Sequence, residues 1–258
     1  MSLEGKKALV TGASRGLGQA IAIALARAGA DVAIADISLD SITETASQIR
    51  ALGRKVVELT VNVIEYDQVQ AMVKKAAAEL GTLDIAVNNA GVVGLYKVSD
   101  MPPEEWDRVM NINARGVFYC CKAELEVMQP RKFGRIINTA SIAGKVGLPD
   151  LAHYSASKFA VIGFTNALAK EVAHEGITVN AVCPGIVGTG MWRGPQGIAQ
   201  RWANPGETEE QAWVRLQGSL LPQGIAQTPE DIADMVIYLT TAAHVTGQAL
   251  AVDGGFSL

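Results

Sequence analysis

The feature that most constrains the fold is a regular alternation of short apolar segments with helical patterns along all 258 residues. Unbroken apolar strands are typical of a parallel sheet covered by helices on both faces. The alternation therefore predicts an α/β protein with a doubly wound (Rossmann) fold, a seven-stranded parallel sheet and helices on both faces. The expected strands are 7–11, 32–36, 56–61, 83–87, 135–139, 178–183 and 249–252, and the expected helices include 17–28, 39–52, 66–80, 114–128 and 153–174.

Only one segment interrupts this rhythm, and no linker divides the chain. We therefore expect a single dinucleotide-binding and catalytic domain over residues 1–258. Residues 188–224 are rich in Gly, Pro, Gln and Trp, and they are expected to contain at most one or two short helices. Such a segment after the sixth strand predicts a substrate lid at the carboxyl edge of the sheet. Its residues Trp192, Trp202 and Trp213 could line a pocket or anchor the segment.

Composition excludes several classes of partner. A net charge of -4 gives no electrostatic reason to expect nucleic acid or an anionic membrane. The N-terminus has no signal-peptide pattern, and no apolar run is long enough to span a bilayer. The three cysteines form no CxxC pair, which indicates free thiols in a cytoplasmic protein, and the three scattered histidines predict no metal site.

A glycine-rich turn joins the first expected strand to the first helix. It reads Thr11-Gly-Ala-Ser-Arg-Gly-Leu-Gly18, so its glycines Gly12, Gly16 and Gly18 follow the spacing G-x-x-x-G-x-G. Glycines permit a tight turn and close approach of a ligand, and a helix N-terminus offers free N–H groups to a phosphate. The strand–turn–helix context predicts a nucleotide-binding turn.

The expected cofactor is NAD, with NADP disfavoured. Asp36 ends the second strand, near the position from which an acid hydrogen-bonds the adenosine ribose hydroxyls. A carboxylate there would repel the additional phosphate of NADP. Arg15 acts in the opposite direction, but a flexible, solvated cation offsets little of that repulsion.

Tyr154 and Lys158 are spaced to share one face of a helix. A nearby ammonium favours the phenolate, so Lys158 is expected to lower the pKa of Tyr154. Such a pair suits proton transfer to or from an alcohol or carbonyl oxygen. The spacing alone is weak, and it gains weight from the other motifs of the chain.

Taken together, the motifs resemble those of the short-chain dehydrogenase/reductase family over essentially the whole chain. Besides the glycine turn and Tyr-x-x-x-Lys, they include the sequence Asn-Asn-Ala-Gly at 88–91, Ser141 after the fifth strand, Pro184-Gly185 after the sixth, and the tail Val252-Asp-Gly-Gly255. This order of motifs is specific to the family but a poor guide to substrate. The resemblance implies an NAD(P)-dependent oxidoreductase acting on CH–OH groups.

The resemblance also implies a role for individual residues. Tyr154 would be the general acid/base, Lys158 would hold the nicotinamide ribose, and Ser141 would orient the reacting oxygen. Asn113 would support a proton relay through Lys158. The implied cofactor contacts are Gly12, Ser14, Arg15, Gly16, Leu17, Gly18, Asp36, Asn62, Val63, Asn89, Ala90, Gly91, Tyr154, Lys158, Pro184, Gly185, Val187 and Thr189.

Two features of the chain bear on this resemblance. Asn62 stands where the family usually has Asp, and its side chain can still accept a hydrogen bond from an adenine amino group. The helical segments 114–128 and 153–174 are apolar nearly all round. The family pairs these helices between subunits, so a homotetramer is expected, although the sequence permits a dimer.

The substrate is the least constrained part of the prediction. The lid sequence Thr189-Gly-Met-Trp192 resembles members that act on small diols or polyols, which makes such a small molecule the first expectation. The alternative is a 3-oxoacyl-(acyl-carrier-protein) reductase using NADPH, with Arg131, Lys132 and Arg135 as half of a docking surface. Other ketones stay open. A nucleotide-binding scaffold without turnover and a serine hydrolase are both disfavoured, because the Asn, Ser, Tyr and Lys are present and the sequence around Ser141 is not G-x-S-x-G.

Overall fold

A computed structural model describes all 258 residues and shows one seven-stranded sheet. The strands are β1 Lys7–Thr11, β2 Asp31–Asp36, β3 Val56–Thr60, β4 Ile85–Asn88, β5 Gly134–Thr139, β6 Ile177–Pro184 and β7 Ala249–Val252. Every neighbouring pair is parallel, in the order β3-β2-β1-β4-β5-β6-β7. The doubly wound parallel fold predicted from the strand–helix alternation is confirmed.

Helices cover both faces of the sheet, because its central strands are apolar on both sides. The helices are α1 Gly16–Arg27, α2 Leu39–Ala51, α3 Tyr66–Leu80, α4 Pro103–Met110, α5 Gly116–Met128, α6 Ala152–Val172, α7 Ile198–Arg201, α8 Glu209–Leu220 and α9 Pro229–Thr241. On one face α3, α5 and α6 bury a core of 29 apolar residues. On the other face α1, α2 and α9 bury a core of 23.

The sheet reverses its winding direction at β1, and this creates the place for a ligand. β1 pairs with β2 on one side and with β4 on the other. The connections after β1 and β4 therefore diverge to opposite faces and leave a crevice at the carboxyl edge. The glycine-rich turn follows β1, and the Asn-Asn-Ala-Gly segment follows β4, so both lie at this crevice.

The expected elements agree with the structure to within about two residues at most ends, which is the usual uncertainty of helix and strand limits. The prediction did not include α4 and α9, although α9 begins with a clear signal. Thr228 and Asp231 form a capping box there, with Pro229 in the first turn. The helix expected from 114 begins at Gly116 and follows a π-helical turn, Asn111–Arg115.

The segment expected as a lid contains two helices, α7 and α8, and its three tryptophans pack against one another. Trp192 and Trp213 are 7% exposed and form an apolar cluster with Ile186 and Leu216, so they anchor the segment. Trp202 is only partly buried, and its ring lies 6.0 Å from that of Trp192 in an edge-on arrangement. No helix of the structure combines the length and apolarity needed to cross a bilayer.

Candidate active site

The glycine-rich turn is built so that only glycines fit at its key positions. Gly12 and Gly16 adopt φ values of 66° and 57°, in the left-handed region that favours glycine. A Cβ on Gly18 would lie 2.0 Å from the carbonyl oxygen of Gly12, because the first turn of α1 packs directly under the loop. The loop backbone is thereby open to close approach by a ligand.

The N-terminus of α1 presents its N–H groups without competition from the protein. Arg15 is the N-cap residue, no side chain caps the helix, and the first turn carries no acidic residue. An incoming pyrophosphate would therefore meet free donors and the positive end of the helix dipole. The residues present fit the phosphate groups of a dinucleotide. Ser14, Gly16 and Leu17 lie on this turn beside Arg15.

Asp36 is fixed beside the same turn by two backbone hydrogen bonds. Its Oδ2 accepts from the N–H of Ser14 at 3.0 Å, and its Oδ1 accepts from the N–H of Ile37 at 2.7 Å. The carboxylate is thus held at the carboxyl end of β2, next to the phosphate-binding turn. Its remaining lone pairs are available to ribose hydroxyl donors.

The segment after β4 is tied to the end of β1 through Asn89. The Asn89 side-chain amide donates to the carbonyl oxygens of Thr11 and Gly12, both at 3.1 Å. The Thr11 hydroxyl accepts from the backbone N–H groups of Asn89 and Ala90. These bonds fix the width of the crevice, with Ala90 and Gly91 on its floor. A Cβ on Gly91 would lie 3.6 Å from the Lys158 ammonium nitrogen, so the Lys158 side chain of α6 reaches this floor.

The segment after β6 closes the crevice from the opposite side. Pro184 ends β6, and Gly185 donates its N–H to the carbonyl of Val252 at 3.0 Å. A Cβ on Gly16 would lie 3.5 Å from the Thr189 methyl group, so Thr189 lies against the glycine turn. Val187, between Gly185 and Thr189, is 2% exposed and packs into the core below α9.

Asn62 and Val63 occupy the turn after β3. The Asn62 side-chain oxygen accepts weakly from the N–H of Ile64 at 3.4 Å, a short local turn. Val63 is 8% exposed and packs against Gly116, where a Cβ would approach its side chain to 2.9 Å. The amide of Asn62 stays partly exposed at the carboxyl edge.

Tyr154, Lys158 and Ser141 come together at the end of β5. Lys158 lies one turn after Tyr154 on α6, and its Nζ is 5.6 Å from the centre of the Tyr154 ring. The same Nζ donates to the carbonyl of Thr139 at 2.8 Å. Ser141 begins the turn after β5, and its hydroxyl accepts from the N–H of Ala143 at 3.1 Å. All three side chains are buried.

Burial shifts the pKa values of the Tyr–Lys pair in opposite directions. It raises the pKa of Tyr154 to about 12, and the Ser141 hydroxyl offsets only a part of this shift. It lowers the pKa of Lys158 to about 8. The expectation that Lys158 lowers the Tyr154 pKa is therefore wrong for the protein groups taken alone. Removal of the phenolate from water is the largest effect on Tyr154, and no contribution of the Lys158 ammonium offsets it.

Asn113 lies on the π-helical turn and is fully buried. Its side-chain oxygen accepts from the N–H of Val92 at 2.8 Å, and its amide nitrogen donates to the Val92 carbonyl at 2.9 Å and to the Ser157 hydroxyl at 3.0 Å. Asn113 therefore joins α6 to the segment after β4. A π turn at such a position is a frequent feature of functional sites.

A set of apolar side chains flanks Tyr154 on the side of the lid. Tyr154 packs in a cluster with Val109, Ala143 and Leu151. Five partly buried residues pack against that cluster. One is Val92, and we call the other four the apolar wall: Val93, Leu95, Leu148 and Trp202. Beyond Leu95 and Trp202 lies an open cavity of about 310 Å³, whose other lining residues are Tyr96, Lys97, Asp100, Asp150 and Arg201. The wall was missed by the sequence analysis, because its residues come from three separate segments with no motif.

Thr11 and Thr139 were also missed. Each contributes through a backbone or hydroxyl group at the end of a strand. The only sequence signal was their place at the carboxyl ends of β1 and β5.

Comparisons with known proteins agree with this geometry. Residues 6–196 match the family model described as short chain dehydrogenase. The chain is 35% identical to the 3-oxoacyl-(acyl-carrier-protein) reductase FabG of Thermotoga maritima, over 99% of both chains. It is 38% identical to the 3-oxoacyl-(acyl-carrier-protein) reductase of Synechocystis, over 98% of both. The structure of carveol dehydrogenase from Mycobacterium avium in complex with NAD superposes with a TM-score of 0.93, at 30% identity and 98% coverage of both chains.

The crevice, the buried Tyr–Lys pair and the all-parallel sheet define a nicotinamide-dependent oxidoreductase that acts on CH–OH or keto groups. The chain belongs to the short-chain dehydrogenase family.

Proposed function

We propose that this protein transfers a hydride between NAD and a secondary alcohol or ketone with an apolar carbon skeleton. One observation carries the proposal: Tyr154 and Lys158 lie between the nucleotide crevice and the apolar wall. A carbonyl carbon placed there would have proton donors on one side and the cofactor crevice on the other. This proximity is what the chemistry requires.

The side chains around Tyr154 divide the proton chemistry of the reaction. When bound, the nicotinamide supplies or takes up the hydride. In reduction, Tyr154 donates its hydroxyl proton to the substrate oxygen as the C=O bond becomes C–OH. Ser141 orients that oxygen, and the Lys158 ammonium stabilises the phenolate left behind. Asn113 holds the segment around Val92 in place and completes the proposed catalytic set.

The pKa values favour reduction at neutral pH. With its pKa raised to about 12, Tyr154 is protonated and ready to act as an acid. Oxidation of an alcohol needs the phenolate, whose fraction grows as the pH rises. We infer that ketone reduction is the faster direction near neutral pH, with oxidation favoured in alkaline solution.

The preference for NAD over NADP rests on Asp36. Its two backbone hydrogen bonds hold a negative charge at the end of β2, beside the turn that would bind the pyrophosphate. A 2′-phosphate at that place would be close to a fixed like charge. Arg15, the cation that could offset the repulsion, is exposed and therefore screened.

The side chains next to Tyr154 favour a less polar substrate than the small diol or polyol that was expected first. A polyol needs several hydrogen-bonding partners around its hydroxyls. The apolar side chains next to Tyr154 are two leucines, a valine and a tryptophan, which favour a substrate with apolar surface at the reacting carbon. The charged side chains of Asp100, Asp150 and Arg201 line the cavity beyond them. The pairing of an apolar wall with buried Tyr and Ser hydroxyls suits a ketone with a hydrocarbon body.

A second candidate, reduction of a 3-oxoacyl thioester on a carrier protein, is favoured by the names of the full-length relatives. The docking surface expected for an acidic carrier is weaker than the sequence suggested. Arg131 donates to Asp84 at 2.8 Å and to the Leu83 carbonyl, and Arg135 donates to the carbonyls of Gly134 and Gly176. Lys132 makes no such side-chain bond, and its backbone N–H donates to the carbonyl of Gln129.

The assembly and location of the protein also stay proposals. Phe118 on α5 and Phe159 on α6 are 43% and 47% exposed, which is a large apolar surface for two helices of one face. This exposed apolar surface supports the expected homotetramer, in which it would be buried between copies. All three cysteines are free and buried, which suits the reducing cytoplasm.

The test is a spectrophotometric assay of nicotinamide oxidation and reduction by the purified protein. The panel holds butan-2-one, cyclohexanone, 2,3-butanediol and an acetoacetyl thioester, each with both cofactors. We expect turnover of the apolar ketones with NADH and loss of turnover in Tyr154→Phe with nearly unchanged NADH binding. Turnover of the thioester alone with NADPH would support the second candidate. Substantial turnover by Tyr154→Phe would refute the acid/base assignment.

A further inference from the structure

A buried histidine directly precedes the proposed catalytic tyrosine but faces a different set of neighbours. His153 is fully buried at the start of α6, and neither of its ring nitrogens has a hydrogen-bond partner. Its Nε2 lies 3.5 Å from Oε1 of Glu105 on α4, within the distance of an ionic contact. A buried imidazole with so few partners carries a cost, which usually has a structural or functional reason.

Glu105 is held in place by a two-pronged contact with Arg108. The Arg108 Nε and Nη2 donate to the two carboxylate oxygens, each at 2.7 Å. Such fork-like pairs fix the geometry as well as the charge. The same Nη2 donates to the carbonyl of Val93 at 3.2 Å, so the pair reaches the segment after β4.

That segment, residues 92–96, is pressed against the histidine and the glutamate through Gly94. A Cβ on Gly94 would lie 2.0 Å from Glu105 Oε1 and 2.8 Å from His153 Nε2. The Tyr96 ring packs edge-on to His153, with 6.3 Å between ring centres. The backbone at Val93 and Gly94 and the ring of Tyr96 therefore contact these polar side chains.

The opposite side of the segment is a part of the substrate site. Val93 and Leu95 belong to the apolar wall beside Tyr154, and each also packs against the lid cluster around Trp192. A shift of the backbone at Gly94 would move both side chains relative to the reacting oxygen. The Asn113 bonds hold only Val92, at the beginning of the segment.

We propose that His153, Glu105 and Arg108 form a positioning unit that fixes residues 92–96 and thereby sets which substrate skeletons fit beside Tyr154. This inference rests on the proposed function, because it assigns the apolar wall to substrate. The unit touches neither the reacting atoms nor the cofactor crevice. Its loss should therefore alter substrate binding more than proton or hydride transfer.

The first test compares Glu105→Gln and Arg108→Met with Glu104→Gln, an exposed carboxylate on the same helix. For cyclohexanone with NADH we expect KM to rise about tenfold in the two test variants, with kcat changed less than about threefold. The control Glu104→Gln should keep the NADH affinity and the thermal midpoint of the wild type. The ratio of kcat/KM for cyclohexanone to that for butan-2-one should also change in the test variants, which a loss of stability alone would not cause.

The second test replaces Gly94, where an added Cβ would collide with the side chains of Glu105 and His153. Gly94→Ala should raise KM for cyclohexanone, and the increase should be smaller in the Glu105→Ala background, where the nearest colliding atom is gone. Equal increases in both backgrounds would overturn the proposal, as would test variants with wild-type KM and substrate ratio. Parallel loss of kcat, NADH binding and thermal midpoint would also overturn it in favour of a merely structural role. A wild type without ketone turnover would instead refute the proposed function, before any variant is compared.

Discussion

Replacing Glu124 with glutamine should change the pH dependence of stability in a way that no surface substitution can. Glu124 is fully buried on α5, and its Oε2 accepts from the Asn88 amide at 3.2 Å, while its Oε1 has no partner. Burial raises the pKa of this carboxyl to about 8, with a small opposing effect of Asn88. The folded protein therefore holds Glu124 in its neutral form at pH 7. Glutamine has nearly the same shape and carries no charge at any pH.

The magnitude follows from the difference between folded and unfolded pKa values. The folded value of about 8 lies above the ordinary value of 4.5, so the folded state binds the proton more tightly. The resulting contribution to stability is fully present below pH 4.5 and is lost as the pH rises towards 8. Integrating over the range from about pH 5 to pH 8 gives a loss of about 3 kcal/mol from this single group. Glu124→Gln should not show that loss.

The assay is the free energy of unfolding in guanidinium chloride at a fixed protein concentration, measured at both ends of this pH range. We expect wild type and Glu124→Gln to be similar in acid, and the variant to be more stable by about 3 kcal/mol in mild alkali. The control is Glu171→Gln, an exposed carboxylate on α6 that should follow the wild type at both pH values. A difference between wild type and Glu124→Gln that does not vary with pH would refute the reasoning. It would mean that the carboxyl is charged or solvated in the folded protein.

Three further predictions concern the nucleotide crevice and the proton chemistry. Asp36→Ala should narrow the gap in KM between NAD and NADP, because it removes the fixed charge beside the turn; an unchanged preference would mean that Asp36 does not contact the ribose. The kcat/KM for ketone reduction should fall as the pH rises through about 8, where Lys158 loses its charge, while alcohol oxidation should rise; parallel profiles would contradict these roles. Gly18→Ala should weaken NADH binding and destabilise the fold by about 1–3 kcal/mol, because its Cβ meets backbone that cannot yield. The matched Gly218→Ala has open space on α8 and should stabilise the protein by about 0.5–1 kcal/mol, measured by thermal unfolding.

The sequence was sufficient for the features that depend on local order along the chain. Apolar runs alternating with helical patterns predicted the parallel sheet, since a strand buried on both faces carries apolar side chains on both faces. The glycine turn and the Tyr154–Lys158 pair could be found in the sequence because both are local. The turn lies on consecutive residues, and the pair is one helical turn apart. The site set Asn113, Ser141, Tyr154 and Lys158 was found through family resemblance, and the structure does bring these residues to one place.

Tertiary structure alone decided the electrostatics and the substrate surface. Whether Lys158 lowers the pKa of Tyr154 depends on how much water each group keeps, and that is a property of the packed site. The apolar wall, the contact of Gly94 with His153 and the burial of Glu124 each join segments distant in sequence. Such contacts leave no spacing pattern in the chain, because the fold, and not the order of residues, sets the distances between them.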